Sequence, residues 1–410
     1  MRVLLAVLDG AADTPNAQLA FRTPLQAARK PFLDNLAQNS RAGLLRIAGD
    51  IAPESDVGVL SIFGINALKL QTRRSALEAL GVGETFKNGM LALRANFATL
   101  NENQTKILDR RVGRNLSTEE AKRIAQELNA RIYIKGINTK LVATSGHRAV
   151  LLAKRKRAFS RDISNTDPAY EMTRAGITTA NSNPRHLLQQ CKPLKHGARE
   201  TAKFVNEYLK QAHAILATSK INEYRKIKGA LPANGLLFRD AETRLKSPRK
   251  KMQNWTVIAD MPLEIGIGRF LGMHVKKMPA FFSPRDYEAR AEVAVEELRS
   301  RNVYVHIKGP DVYGHDGDAI GKTKCIEEID SHFFAKVSGL DKSKVRIAVT
   351  SDHATPCGHK AHSNDPVPFM ISGAGVKNKT GIQWFGEKEC AKGETIPATS
   401  LMSLLLAKQV

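Results

Sequence analysis

The chain is predicted to be an α/β protein: a mainly parallel sheet sandwiched by helices, with a smaller α+β domain inserted into it. Three observations predict this. Apolar runs of strand length alternate with helical patterns near both ends of the chain, the rhythm of a parallel sheet covered on both faces. The middle, from about Phe86 to Cys191, gives up that rhythm for short strands and turns. The 410 residues are also enough for two domains, each with its own core. The expected layout is a core in two parts, 1–85 and 192–410, interrupted by an inserted domain over 86–191.

Element by element, "VLLAVLD" reads as a buried first strand, and it is too short and too soon broken at Asp9-Gly10 for a signal peptide. "TPLQAARKPFLDNLAQNS" follows as a helical stretch with Leu25, Ala28, Phe32, Leu33 and Leu36 on one face, Thr23 as N-cap and Pro24 in the first turn. "AGLLRIA" reads as the next strand. Inside the insertion, "LALRANFATL", "TKILDRRVG", "ARIYIKGI", "KLVATSG" and "HRAVLLAK" read as short strands and turns, and "STEEAKRIAQEL" as a helix opened by a Ser117–Glu120 capping box. The long helical run "ARETAKFVNEYLKQAHAIL" leads the chain back. From Thr256 onward the α/β rhythm returns through "WTVIAD", "LEIGIGRFLGM", "DYEARAEVAVEELRS", "NVYVHIKG", "KVRIAVTSD" and "PVPFMISG".

Composition narrows the class. No apolar run approaches the roughly 18 residues that a membrane span needs. Cys191, Cys325, Cys357 and Cys390 are scattered and form no CxxC, which suggests a reducing cytoplasm. The net charge is +23, with basic runs at Lys154–Arg157 and Arg244–Lys251. Such runs can neutralise phosphates, but the chain has no zinc-finger spacing, no RNA-recognition motif and only 6% aromatic residues. These features argue against specific nucleic-acid binding and suit attraction of a small anionic metabolite instead.

The chemistry concentrates at three strand-like runs that end in aspartate: Asp9, Asp311 and Asp352. In a parallel sheet the carboxyl ends of the strands share one edge, where ligands bind. Asp311 carries His315 nearby, Asp352 is followed by His353, and His359 and His362 stand in the next loop. Mixed Asp/His ligation suits zinc or manganese. Two histidines three apart in an extended loop would not both serve one site, so one of His359 and His362 is expected to stand outside it. Ser55 precedes the helical run "VGVLSIF" and reads either as an N-cap or as a nucleophile at a helix N-terminus, where free N–H groups favour an incoming phosphate.

These residues and their flanks resemble the archaeal-type, cofactor-independent (2,3-bisphosphoglycerate-independent) phosphoglycerate mutases of the alkaline phosphatase superfamily. The resemblance runs through "VLDGAAD", "PESDVGVLSIFG", "EALGVG", "DRRVGR", "GHRAVLL", "INEYRKIKGALPAN", "HIKGPDVYGHDGD", "SDHATPC" and "HSNDPVPFMISG". It implies an alkaline-phosphatase-like core and interconversion of 3-phosphoglycerate and 2-phosphoglycerate, a step of glycolysis and gluconeogenesis, through a phosphoserine at Ser55. It further implies two divalent ions (Mn, Zn, Co or Mg) and no 2,3-bisphosphoglycerate. One ion falls to Asp9, Ser55, Asp352 and His353, the other to Asp311, His315 and His362. The inserted domain is expected to close over a small phosphorylated metabolite, bound by arginines drawn from Arg110, Arg111, Arg114, Arg148, Arg74 and Arg239. The oligomeric state stays open.

The chain also departs from that family pattern. Ile265 stands where a lysine is usual, "RDAE" (Arg239–Glu242) replaces an "RGAG"-like segment, "TRRS" (Thr72–Ser75) replaces a "GRG", and a Gly-Arg-rich segment after "FGEKEC" is missing. The metal and nucleophile positions are intact, so the departures touch substrate positioning. Two alternatives therefore stay open: a metal-dependent phosphatase or phosphotransferase acting on another phosphorylated metabolite, or a non-catalytic polyanion binder on the same fold.

Overall fold

The structure, a computed structural model, describes residues 1–70, 72–172, 178–180, 186–248, 251–279, 282–377 and 379–410. Arg249 and Lys250 of the second basic run lie outside them. The chain divides into two compact units, Met1–Leu70 with Pro248–Val410, and Gln71–Ser247.

Along the chain, the first unit opens with β1 (Arg2–Leu8) and β2 (Ser40–Arg46). The second contributes β3 (Leu91–Leu100), β4 (Ile107–Asp109), β5 (Ile137–Ala143), β6 (Arg148–Arg155), the short β7 (Tyr170–Met172) and β8 (Thr178–Ala180), and β9 (Gly235–Glu242). The first unit resumes with β10 (Trp255–Ala259), β11 (His274–Lys277), β12 (Asn302–Ile307), β13 (Val345–Ser351), β14 (Val367–Gly373) and β15 (Glu394–Pro397).

In the first unit eight strands form one sheet in the order β11-β10-β12-β1-β13-β14-β2-β15. Every pairing is parallel except the two made by β14. β1 lies between β12 and β13 and is buried on both faces from Val3 to Leu8, which explains its unbroken apolar sequence. On one face Leu4, Ala6 and Leu8 join Val303 and Val305, and Tyr287, Ala291 and Ala294 of the helix Pro284–Glu297 cover them. On the other, Phe63, which ends the helix Ser55–Ile62, meets Trp255 and Tyr304 edge-on. No described helix is long and apolar enough to cross a membrane.

The expected single helix after Thr23 is two helices. Thr23 does cap the first, Pro24–Ala27, in a reciprocal box with Gln26. The second, Pro31–Gln38, starts afresh because Pro31 bars Lys30 from helical geometry (φ −136°, ψ 63°).

The second unit is wider on both sides than the expected 86–191. It reaches forward to Gln71 and runs on to Ser247 because β9 pairs antiparallel with β3. Its sheet runs β4-β3-β6-β5, with β9 also on β3, and all its pairings are antiparallel. Leu128 of the helix Thr118–Arg131 and Phe204, Tyr208 and Leu209 of the helix Arg199–Ala217 fill its core with Leu93, Phe97 and Phe238. The strand-like run "ARIYIKGI" is a helix end and a turn, and β5 begins only at Ile137.

Candidate functional site

In the first unit, adjacent strands deliver the first donors. Asp9 directly follows β1 and Asp352 directly follows β13, so their separation is set by one strand spacing. Asp311 does not end a strand as expected. It lies in the first turn of the helix Pro310–Asp316, beyond the end of β12, and His315 follows one turn later on the same helix. Ser55 is the first residue of the helix Ser55–Ile62, and Glu54 rather than Ser55 holds the N-cap position.

These residues meet in two overlapping groups, Asp9–Asp352–His353 and Asp311–His353–His362, each with donor atoms within 4.8 Å of one another. Ser55 Oγ lies 3.3 Å from His353 Nε2. His315 joins the second group, with Nε2 3.6 Å from Asp311 Oδ1 and 3.2 Å from His362 Nε2. His359 is exposed and takes no part.

Hydrogen bonds orient the imidazoles. His362 Nδ1 donates to the Pro53 carbonyl (2.9 Å) and His315 Nδ1 to the Lys360 carbonyl (3.2 Å). A carbonyl only accepts, so in the neutral rings both Nε2 atoms carry lone pairs, and both face the Asp311 carboxylate. Thr355 donates its hydroxyl hydrogen to Asp311 Oδ1 (2.8 Å) and so accepts from His353 Nδ1 (3.0 Å). That leaves His353 Nε2 toward Asp9 Oδ1 (3.4 Å) and Asp352 Oδ2 (3.5 Å). Asp9 Oδ1 is buried without a hydrogen-bond partner. Converging lone pairs and carboxylate oxygens repel unless a cation lies among them, and backbone-anchored imidazoles are how proteins orient metal ligands. The residues therefore fit two divalent cations. A proton can serve in part. Burial works against a charged His353, but Asp352, Asp9 and Asp311 outweigh it and raise its pKa to about 9.

Neighbouring residues that sequence reasoning missed complete the edge. His306, buried on β12, places Nε2 3.3 Å from Asp352 Oδ2. Lys308 Nζ lies 2.8 Å from Asp9 Oδ2 and 3.2 Å from Glu264 Oε1. Burial opposes ionisation of Asp9, yet Lys308 and the imidazoles hold it well below the usual carboxylate range. Ile265, where the sequence resemblance leads one to expect a lysine, is buried beside Glu264. An ammonium does stand at the edge of the site, on Lys308. The sequence signal for His306 and Lys308 is polarity at the end of an apolar strand, "VHIK"; Glu264, on the helix Pro262–Leu271, lies outside it.

Close packing joins the helix Ser55–Ile62 to the backbone at Asp352. A β-carbon at Gly58 would strike the carbonyl oxygen of Asp352. Gly58→Ala is expected to destabilise the protein by about 1–3 kcal/mol and to weaken metal binding as Asp352 moves. Thermal melting alongside manganese titration checks both effects.

In the second unit the six arginines fall into three arrangements. Arg110 binds Asp167 through Nη2 (2.5 and 2.7 Å), and Arg239 Nη1 reaches the same carboxylate at 3.3 Å. Both guanidiniums also stack over Tyr170, at 5.4 and 4.4 Å. Arg74 pairs with Glu78 (2.9 Å), which also holds Arg94 (3.1 Å). Arg148 is exposed and, among the described residues, its guanidinium makes no hydrogen bond or ion pair. Desolvation and the charges of Arg74 and Arg94 lower its pKa to about 10. Arg111 and Arg114 are exposed around the turn Val112–Arg114. Burial and the nearby Arg148, Arg111, Arg239 and Arg114 drive the His147 pKa down to about 3. Arg94 escapes sequence reasoning, although it lies directly across from Arg239 in the β3–β9 pair. Like charges opposed across strands are destabilising, so such a cluster needs either acids or a bound anion. The departing segments "TRRS" and "RDAE" bond to each other: Arg73 N donates to Glu242 Oε2 (2.9 Å) and Arg73 Nη1 to the Ala241 carbonyl (2.7 Å).

Comparison with known proteins gives this geometry a family. The sequence profile of a family described as 2,3-bisphosphoglycerate-independent phosphoglycerate mutase matches residues 37–222. An enzyme of that name from Aeropyrum pernix is 38% identical, over 96% of this chain and 95% of its own. One from Thermococcus kodakarensis is 35% identical, over 95% and 92%. The solved structure of a cofactor-independent phosphoglycerate mutase from Thermoplasma acidophilum superposes with a TM-score of 0.65 at 27% identity, covering 99% of this chain and 98% of that one. The chain belongs to the 2,3-bisphosphoglycerate-independent phosphoglycerate mutases.

Proposed function

We propose that the protein interconverts 3-phosphoglycerate and 2-phosphoglycerate through a phosphoserine at Ser55. The observation that carries this reading is the position of Ser55 Oγ, at a helix N-terminus and 3.3 Å from His353 Nε2 within the donor cluster. In the first half-reaction Ser55 Oγ bonds to phosphorus and the bond from phosphorus to the substrate's C3 (or C2) oxygen breaks. The serine gives up its proton and the departing hydroxyl oxygen takes one up. In the second, the other hydroxyl of the glycerate takes the phosphoryl group and Ser55 is restored, so atoms and charge balance over the cycle. The dipole of the helix Ser55–Ile62, positive at the end that carries Ser55, favours the phosphoryl oxygens. Asp9, Ser55, Asp352 and His353 would hold one divalent ion, and Asp311, His315 and His362 the second. Ions there supply Lewis acidity that lowers the hydroxyl pKa and offsets charge on the transferring group. The mixed Asp/His set favours manganese or zinc over magnesium. We assign recognition of the substrate's phosphate and carboxylate to the arginines of the second unit, with the exposed Arg148 foremost. The scattered cysteines, all free and buried, suit a cytoplasmic location.

Phosphorus NMR of the protein with manganese and 3-phosphoglycerate tests the reading. The expected result is a 2-phosphoglycerate signal without free phosphate. Free phosphate alone would mean a phosphatase, and no change with metal bound would mean another substrate.

A further inference from the structure

Asp240 is an unusual residue for its place. Its φ of +58° lies in the left-handed region that glycine occupies freely and that few other residues adopt. It is buried, its amide donates to Asn165 Oδ1 (3.2 Å), and Ser75 Oγ donates to its carbonyl (2.5 Å). Its carboxylate pairs with Arg94 Nη1 at 3.0 Å, and its charge also favours the guanidiniums of Arg73 and Arg239. Yet Arg94 is already held by Glu78, so the strained position adds a second acid to an arginine that has one.

The charges around it form one cluster, largely buried, with Arg148 exposed at its edge. Among the described residues that these contacts join, Arg74, Arg94, Arg110, Arg148 and Arg239 stand against Glu78, Asp167 and Asp240, five cations against three anions, an excess of two. Glu78 clamps Arg74 and Arg94 together, and Asp167 clamps Arg110 and Arg239. Those two acids hold the cluster in shape. Asp240 brings its charge to a guanidinium that Glu78 has already fixed. Without it the excess would be three, matching an anion with a phosphate and a carboxylate.

We infer that Asp240 sets the affinity of this cluster for phosphorylated hydroxy acids: it occupies Arg94 as an internal anion and keeps the bound ligand from being held too tightly to leave. The ligand class rests on the functional reading above. The residue acts through Arg94, as a positioning and affinity-setting group.

The test uses the full chain carrying Ser55→Ala, loaded with manganese, and titrated calorimetrically with 3-phosphoglycerate so that binding is read without turnover. Adding Asp240→Asn keeps a side chain that tolerates positive φ and can accept from Arg94, but removes the charge. The expected result is a Kd about tenfold lower, with a steeper loss of affinity on adding salt. In the enzyme with Ser55 intact, Asp240→Asn should lower KM and kcat together, because release slows. Asp240→Gly should tighten binding likewise while relieving the backbone. A Kd that is unchanged or raised in both variants, with melting temperatures near the parent's, would overturn the inference and leave Asp240 a structural support of Arg94. A Ser55→Ala parent that fails to bind 3-phosphoglycerate at all would instead overturn the functional reading, and the inference with it.

Discussion

Ser55→Ala is expected to lower the mutase rate by roughly 10⁵-fold, the scale on which enzymes lose rate when a covalent nucleophile is removed. The covalent route has no substitute, since the variant retains no hydroxyl at that helix terminus. The cost to the fold should be small. Ser55 does not cap its helix, alanine is at home in the first turn, and the hydroxyl gives up only its 3.3 Å approach to His353. Metal content should change little, because Asp9, Asp352 and His353 remain. Phosphorus NMR measures the rate and intact-protein mass spectrometry looks for the phosphorylated chain. A Ser55→Ala protein that still turns over, or still becomes phosphorylated in the presence of substrate, would place the nucleophile elsewhere.

Asp311→Asn is expected to cost one of two ions. Asp311 is the carboxylate on which the lone pairs of His315 and His362 converge, at 3.6 and 3.4 Å, and it also accepts the Thr355 hydroxyl. Asparagine can still accept from Thr355 and can donate its amide hydrogens to the imidazoles, so the metal-free protein should fold well. What it lacks is the negative charge. Loss of an anionic ligand should weaken that ion by roughly 100-fold or more, beyond the 10–100-fold common for outer-shell partners. Elemental analysis after dialysis against low micromolar manganese should give two ions for the parent and one for the variant. Turnover should fall by several orders of magnitude at the same metal concentration. Two ions in both proteins would mean that Asp311 is no ligand.

The parts of this molecule that can be read from sequence are those with local signatures. Asp9 and Asp352 are identifiable because each ends an apolar run, and sheet topology alone brings such ends to one edge. Ser55 is visible as a helix beginning, though its exact place, first turn rather than cap, is not. Asp311 reads as a strand end because "VYVHIKGPD" runs continuously, whereas Gly309 (φ 134°) and Pro310 turn the chain into a helix first. Lys308, His306 and Glu264 stay hidden because their role depends on which side chains the neighbouring strand and helix bring opposite. The arginine cluster is legible only in part for the same reason. Arg94 faces Arg239 because β3 pairs with β9, across most of the second unit's sequence, and no local pattern in either segment reports that pairing. The same long-range pairing moves the domain boundary beyond residue 191.

The central strand of the large sheet has a consequence for how the chain must be made. β1 is the apolar heart of the first unit, and both of its neighbours, β12 and β13, are encoded about 300 residues later. At typical elongation rates of about 5–20 residues per second, that strand waits roughly 15–60 s before either partner leaves the ribosome. The second unit, one continuous stretch of chain, has all its strands in hand long before then. Synthesis therefore orders the two clusters in time. The arginine cluster can take shape during translation, while the donor cluster, which needs Asp9 from the start of the chain and His362 from near its end, can assemble only after both have emerged. Until then the apolar run Val3–Leu8 lacks both of the strands that flank it in the sheet.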